Sequence, residues 1–139
     1  MTKDKQAAIS GVEKKAALIG EVADCIWDYA ELSLQEERSA AKYCAVLEAE
    51  GFTVERGICS IPTAFSASYG SGRPVIGLLA EYDALSGMSQ KAGSVEREET
   101  VPGGNGHGCG HNLLGAGAMA AALGVKAWLE QTGNPGTVI

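Results

Sequence analysis

The chain has little histidine and no concentration of positive charge. Two histidines occur in 139 residues, and 17 acidic residues outweigh 11 basic ones, for a formal charge of −6. Without a Lys/Arg cluster there is no electrostatic footprint for nucleic acid, so DNA and RNA are excluded as primary partners. No apolar stretch with a small-residue cleavage site follows the opening Met1-Thr-Lys-Asp-Lys5, so a secretory leader is not expected and the location reads as cytoplasmic. The four cysteines, Cys25, Cys44, Cys59 and Cys109, show no paired spacing, which in a reducing compartment points to buried thiols or ligands rather than disulfides. The most apolar segment, Asn112 to Gln131, reads as too short, too rich in glycine and too interrupted by Lys126 to span a membrane, and no membrane partner is expected.

What is present is the pattern of a globular α/β domain. The length suffices for one hydrophobic core. Ile9, Val12, Ala16, Ile19, Ala23, Ile26 and Ala30 alternate steps of three and four, which predicts one long amphipathic helix. A second helix is predicted from about Gln35 to Glu50, with Ala40, Tyr43, Cys44 and Leu47 on one face and Gly51 as its left-handed end. Cys25 and Cys44 then read as core residues.

After Gly51 the period falls to two. Phe52 to Arg56 and, more loosely, Ala64 to Tyr69 are predicted strands with at least one wetted face, and Gly70 to Pro74 a turn. Val75-Ile-Gly-Leu-Leu-Ala80 is apolar without alternation, the mark of a strand covered on both faces of an α/β sheet. It ends in Glu81-Tyr82-Asp83, at the carboxyl end of a strand, where open α/β sheets place their ligand crevices; a solvated strand end is the plainer alternative. Residues 84–110 show no periodicity, as functional or disordered loops do. A buried helix is predicted from Asn112 to Gln131, then a turn, then a strand from Thr137 to Ile139.

The chemistry concentrates in Gly104-Asn-Gly-His-Gly-Cys-Gly-His-Asn112. His107, Cys109 and His111 stand two residues apart, flanked by glycines that free the backbone to bend around a small centre. Such donors suit zinc or manganese, and the helix that follows favours a thiolate at Cys109. A glycine-rich surface loop with incidental histidines, or a Cys–His nucleophile pair, remain as alternatives. A phosphate loop does not fit, because the Gly-x4-Gly spacing at Gly110 and Gly115 is followed by Ala116 rather than Lys.

The order Ala80-Glu-Tyr-Asp-Ala-Leu85, loop, Gly106-His-Gly-Cys-Gly-His-Asn-Leu-Leu-Gly115 resembles the aminoacylase/carboxypeptidase-type dinuclear metallopeptidases. It is most similar to the amidohydrolase branch that contains p-aminobenzoyl-glutamate hydrolase. The resemblance extends to Glu31-Leu-Ser-Leu-Gln-Glu-Glu37 and Ile61-Pro-Thr-Ala-Phe65. It implies a central sheet flanked by helices, with two long helices at the N-terminus. It further implies that residues 1–139 are the N-terminal portion of a catalytic domain, without the inserted dimerisation domain or the C-terminal half.

The resemblance makes Cys109 and His111 metal ligands, and Asp83 the aspartate near the metal that orients a ligand. It sets His107 at the site's lining and assigns no role to Glu81, which stands where other branches carry a metal-binding histidine. It implies manganese or zinc, two ions in the complete enzyme, and a small N-acyl amino acid as substrate. By the same resemblance, the paired glutamates that include the general base, and a further histidine ligand, are expected beyond the position of Ile139. A second subunit or a homodimer is implied for the complete enzyme. A dipeptidase or carboxypeptidase of the same family, or a metal-binding or interaction module without catalysis, are the other readings.

Overall fold

The computed structural model describes residues 2–139. Helices α1 (Lys3–Lys14) and α2 (Ala16–Tyr29) occupy the stretch predicted as one helix. The interruption is a single residue, Lys15, whose amide turns back to Val12 O (2.9 Å) in a tightened last turn. The break has a packing reason. α1 lies along α4 (His111–Thr132), whereas α2 meets both α4 and α3 (Glu37–Ala49), and one straight rod does not follow both surfaces.

The α1–α4 approach is close because small residues face each other. A Cβ at Gly11 would overlap the Cβ of Ala127, and one at Gly124 would stand 3.0 Å from Val12 Cγ2.

Helix α3 lacks a capping side chain at its own entry, Glu36. Glu31 supplies the missing acceptors from outside the helix. Its Oε1 accepts from Arg38 N (3.0 Å) and its Oε2 from Ser39 N and Oγ (2.8 Å each). A carboxylate there answers both the unpaired amides and the positive end of the helix dipole. Gly51, at φ +86°, closes the helix as the sequence predicts.

The sheet order is β1 (Thr53–Arg56), β2 (Phe65–Ser71), β4 (Gly136–Val138), β3 (Val75–Ile76). The first two pairings are antiparallel, and β3 runs parallel to β4 with α4 as the crossover between them. Strand β2 continues through Gly70 and Ser71, which pair with Thr137 and Gly136, so the predicted turn shrinks to Gly72–Pro74.

The core joins Val22 and Ile26 of α2, Tyr43 and Leu47 of α3, and Met119 and Leu123 of α4 to Phe52 and Val138. Cys44 is fully enclosed, but Cys25 is only half-buried, against its expected core position.

Three further expectations are corrected. The 75–80 segment is not covered on both faces: β3 is an edge, Val75 and Ile76 are exposed, and Leu79 is 90% exposed. β4 offers three residues, so the ladder stops where Leu78 N meets Ile139 O (2.7 Å), and no described element lies over the outer side. Helix α4 is not sealed over its first turns either, because Leu113 and Leu114 face solvent. At 22 residues it also satisfies the length and composition of a membrane-crossing helix, contrary to the reading of its sequence. Its other face is occupied by α1, α2 and the sheet, the arrangement of a core helix.

Mid-helix glycines in α1 and α2 carry opposite expectations. Gly20 has open space around it, so Gly20→Ala should stabilise by about 1 kcal/mol through helix propensity. Gly11→Ala makes the same gain but must push against Ala127, an overpacking cost toward the upper end of ~1–3 kcal/mol, and should destabilise. Urea unfolding midpoints moving in the same direction for both variants would refute the close α1–α4 seam.

Candidate metal centre

Glu81 and Asp83 lie two residues apart in extended chain, the spacing that puts side chains on one face. The segment is held at its far end, where Ala84 N donates to Glu31 O (2.7 Å) and Ala84 bridges Leu32. The 84–110 loop is ordered by folding back on itself. Leu85 and Gly106 exchange both backbone hydrogen bonds (2.9 and 3.0 Å), Ser89 N donates to Gly104 O and Lys91 N to Glu98 O. Gly106 passes so close to Met88 O that no Cβ fits. The loop's return leg then delivers a tight turn, His107 to Gly110 (Gly110 N to His107 O, 2.9 Å), and Gly110 at φ +78° opens α4.

This places His111, the first residue of α4, against the strand exit. Asp83 Oδ1 lies 2.7 Å from His111 Nδ1, and Glu81 Oε2 lies 3.3 Å from His111 Nε2. Each of the three residues brings a donor atom to within 4.8 Å of the others.

The chemistry of these contacts is directional. A carboxylate accepts, so Nδ1 carries the hydrogen that Asp83 receives, and the ring presents the Nε2 lone pair to Glu81. Two acceptors facing one another at 3.3 Å repel unless a proton or a cation lies between them. A carboxylate that fixes one imidazole nitrogen while the other faces a cation is the usual support of a metal-ligating histidine. The donor set of imidazole and carboxylate fits a divalent ion of the zinc or manganese type.

Cys109 is exposed and stands outside the three-residue cluster, one residue before the helix cap. His107 is also outside it. Its ring is 5% exposed, stacked on Trp27 at 6.3 Å between centroids, with Nε2–H donating to Ile26 O (2.9 Å) and Nδ1 unpartnered. Burial holds its pKa below the ordinary histidine value. The sequence sets Glu81 beside Asp83 at the strand end without a role of its own, and the structure turns it toward His111 Nε2. Beside Glu81 and Asp83 opens a cavity of about 640 Å³, walled by Tyr43, Phe65, Tyr82 and Met119. The Tyr43 and Tyr82 hydroxyls are pushed well above the ordinary phenol range by burial.

Over 118 residues the chain is 56% identical to one of the subunits of p-aminobenzoyl-glutamate hydrolase from Escherichia coli (strain K12), a match covering 85% of this chain and 24% of that protein. It is 28% identical to Xaa-Arg dipeptidase of Mus musculus, over 94% of this chain and 29% of that protein. A solved Bacillus subtilis dinuclear metal-binding peptidase of the M20 family superposes with a TM-score of 0.62 at 25% identity, over 88% of this chain and 34% of that one.

In sequence and in fold the chain is thus similar to a peptidase of the M20 family. A methicillin-resistant Staphylococcus aureus structure at 24% identity, TM-score 0.66, shares the fold over 96% of this chain and 34% of its own. No protein-family model matches the sequence. The chain spans about a quarter of the length of the curated relatives it matches.

Asp83→Asn keeps the shape but replaces an anionic acceptor by an amide, and should weaken zinc binding ~10–100-fold by calorimetric titration. Unchanged affinity would reduce Asp83 to a solvated strand end. Native alkylation should modify the exposed Cys59 and Cys109 and spare Cys44, whose thiol is buried with its pKa raised by desolvation. Zinc should protect Cys109 alone. Equal labelling of Cys109 with and without zinc, at saturating metal, would exclude it as a ligand.

Proposed function

We infer that this chain supplies part of the metal centre of a hydrolase that cleaves the amide bond of an N-acyl amino acid such as p-aminobenzoyl-glutamate. One observation carries the reading: His111 is held by Asp83 at one nitrogen while its other nitrogen faces Glu81. The 56% identity to a protein named for that reaction supports the substrate class.

His111, Glu81 and Cys109 are the residues that would hold a divalent ion, manganese or zinc, with a second ion in the complete centre. Asp83 sets the imidazole's tautomer and direction. When bound, the metal would polarise the scissile carbonyl. Water adds across the amide: the C–N bond breaks, hydroxyl goes to the acyl carbon and a proton to the departing nitrogen, giving a carboxylate and a free amino acid. A base must receive the water's proton within ~3 Å, directly or through one water. Glu81 and Asp83 are both turned toward His111, so that base is assigned to residues outside this chain, in the rest of the catalytic domain or a second subunit.

The dipeptidase relatives favour a second reading, hydrolysis of a dipeptide at the same centre. The four free cysteines support a reducing, cytoplasmic setting.

The 139-residue chain alone, with manganese or zinc added, should release no p-aminobenzoate from p-aminobenzoyl-glutamate by chromatography, since loss of a general base alone costs ~10²–10⁴-fold. A longer protein containing this chain should release it, and Asp83→Asn in that protein should suppress release. Turnover by the isolated chain that Cys109→Ala abolishes would place the base among the carboxylates described above. Release by the longer protein of free arginine from Xaa-Arg dipeptides, with none from p-aminobenzoyl-glutamate, would favour the second reading.

A further inference from the structure

Three side chains of the glycine-rich segment reach back to α2 and its C-cap. Asn105 Nδ2 donates to Ala30 O (3.1 Å), His107 Nε2 to Ile26 O (2.9 Å) and Asn112 Nδ2 to Ala23 O (3.4 Å). Ala23 and Ile26 lie three residues apart on one face of α2, and Ala30 is its left-handed C-cap, so the three acceptors lie along the second half of the helix and at its end. Ile26 O also accepts from Ala30 N (3.2 Å), the closing bond of α2, whereas Ala30 O lies past the helix end, where carbonyls run out of helical partners. The donors bracket Cys109 and His111: two precede them and one follows. His107 and Asn112 are buried, and Asn105 half-buried.

A segment with glycine at 104, 106, 108 and 110 has little stiffness of its own, because glycine leaves the backbone the widest choice of conformations. Its shape must be imposed by its surroundings. The Leu85–Gly106 bridge fixes one point, and the Asp83–His111 contact fixes another. Between and beyond them the α2 carbonyls provide the remaining attachments.

We propose that the carbonyls of Ala23, Ile26 and Ala30, along α2 and at its cap, are the template for the metal-binding segment, with Asn105, His107 and Asn112 as positioning residues that set the direction of Cys109 and His111. None of the three belongs to the cluster that would hold the ion. They act by holding the backbone from which the ligands project, and this role rests on the metal-centre reading given above. His107 is the centre of the device: stacked on Trp27, with its Nε2 hydrogen committed to Ile26 O, it pins the turn that carries Cys109.

The experiment uses the full chain with zinc as probe and two readouts, amide hydrogen exchange of residues 106–110 without metal and calorimetric zinc affinity. His107→Ala and Asn105→Ala should each speed exchange at Gly106 and Gly110 and weaken zinc by about tenfold or more. His107→Gln, whose amide can still donate to Ile26 O, should recover most of both. Asn105→Ala carries the test if His107→Ala does not fold, as judged by circular dichroism.

Unchanged exchange in folded Asn105→Ala and His107→Ala would overturn the template. So would exchange that changes while zinc affinity stays at the wild-type value, or His107→Gln behaving as the alanine variant. If the wild type binds no zinc but exchange responds as stated, the attachment to α2 stands and the failure belongs to the metal-centre reading.

Discussion

The contact between Asp83 and His111 joins the end of an extended segment to the first residue of the longest helix, across 28 positions of sequence. Everything around it serves to make those two points coincide. The β3–α4–β4 crossover sets the distance between strand and helix, and the Glu31 carbonyl holds Ala84 immediately after Asp83. The folded-back loop brings the chain home at the right residue. A shift of one position along α4 would rotate the histidine by about 100° and remove it from the carboxylate, so the register of this entry is the constraint that the rest satisfies.

Glu31 illustrates how one side chain serves two ends of this arrangement. Its carboxylate completes the entry of α3, and its backbone oxygen anchors the residue next to Asp83. Immediately before it, Ala30 adopts a left-handed conformation (φ 45°) that costs a residue with a Cβ roughly 1–2 kcal/mol. The contacts gathered there, from Glu31, Leu32 and Asn105, are what hold it.

Much of the fold was legible because periodicity reports burial. The steps of Ile9 to Ala30 announce helix, though not the break at Lys15, because a single residue leaves the apolar stripe nearly unrotated. The alternation around Val54 announces a strand. Val75 to Ala80 misleads for a physical reason: an apolar run states what a segment needs, not what the described chain provides, and here the needed cover is absent. In the site, glycine spacing marked the segment that carries His111. The pairing of Glu81 with His111 was not visible, since it depends on a three-dimensional register across the loop. Nor were the attachments of Asn105 and Asn112 to α2, because backbone carbonyls leave no mark in a sequence.

The uncovered edge at β3 bears on how this chain behaves in solution. An apolar strand edge pairs readily with another, and Val75, Ile76 and Leu79 offer one to water. What opposes such pairing is electrostatic: every copy carries a formal charge of −6, and like-charged molecules keep apart while their fields reach across the gap. That reach is about 30 Å at 0.01 M ionic strength and about 8 Å at physiological salt. Colloidal stability of the chain is therefore tied to the ionic strength of its medium, and salt removes the barrier without altering a single contact inside the fold.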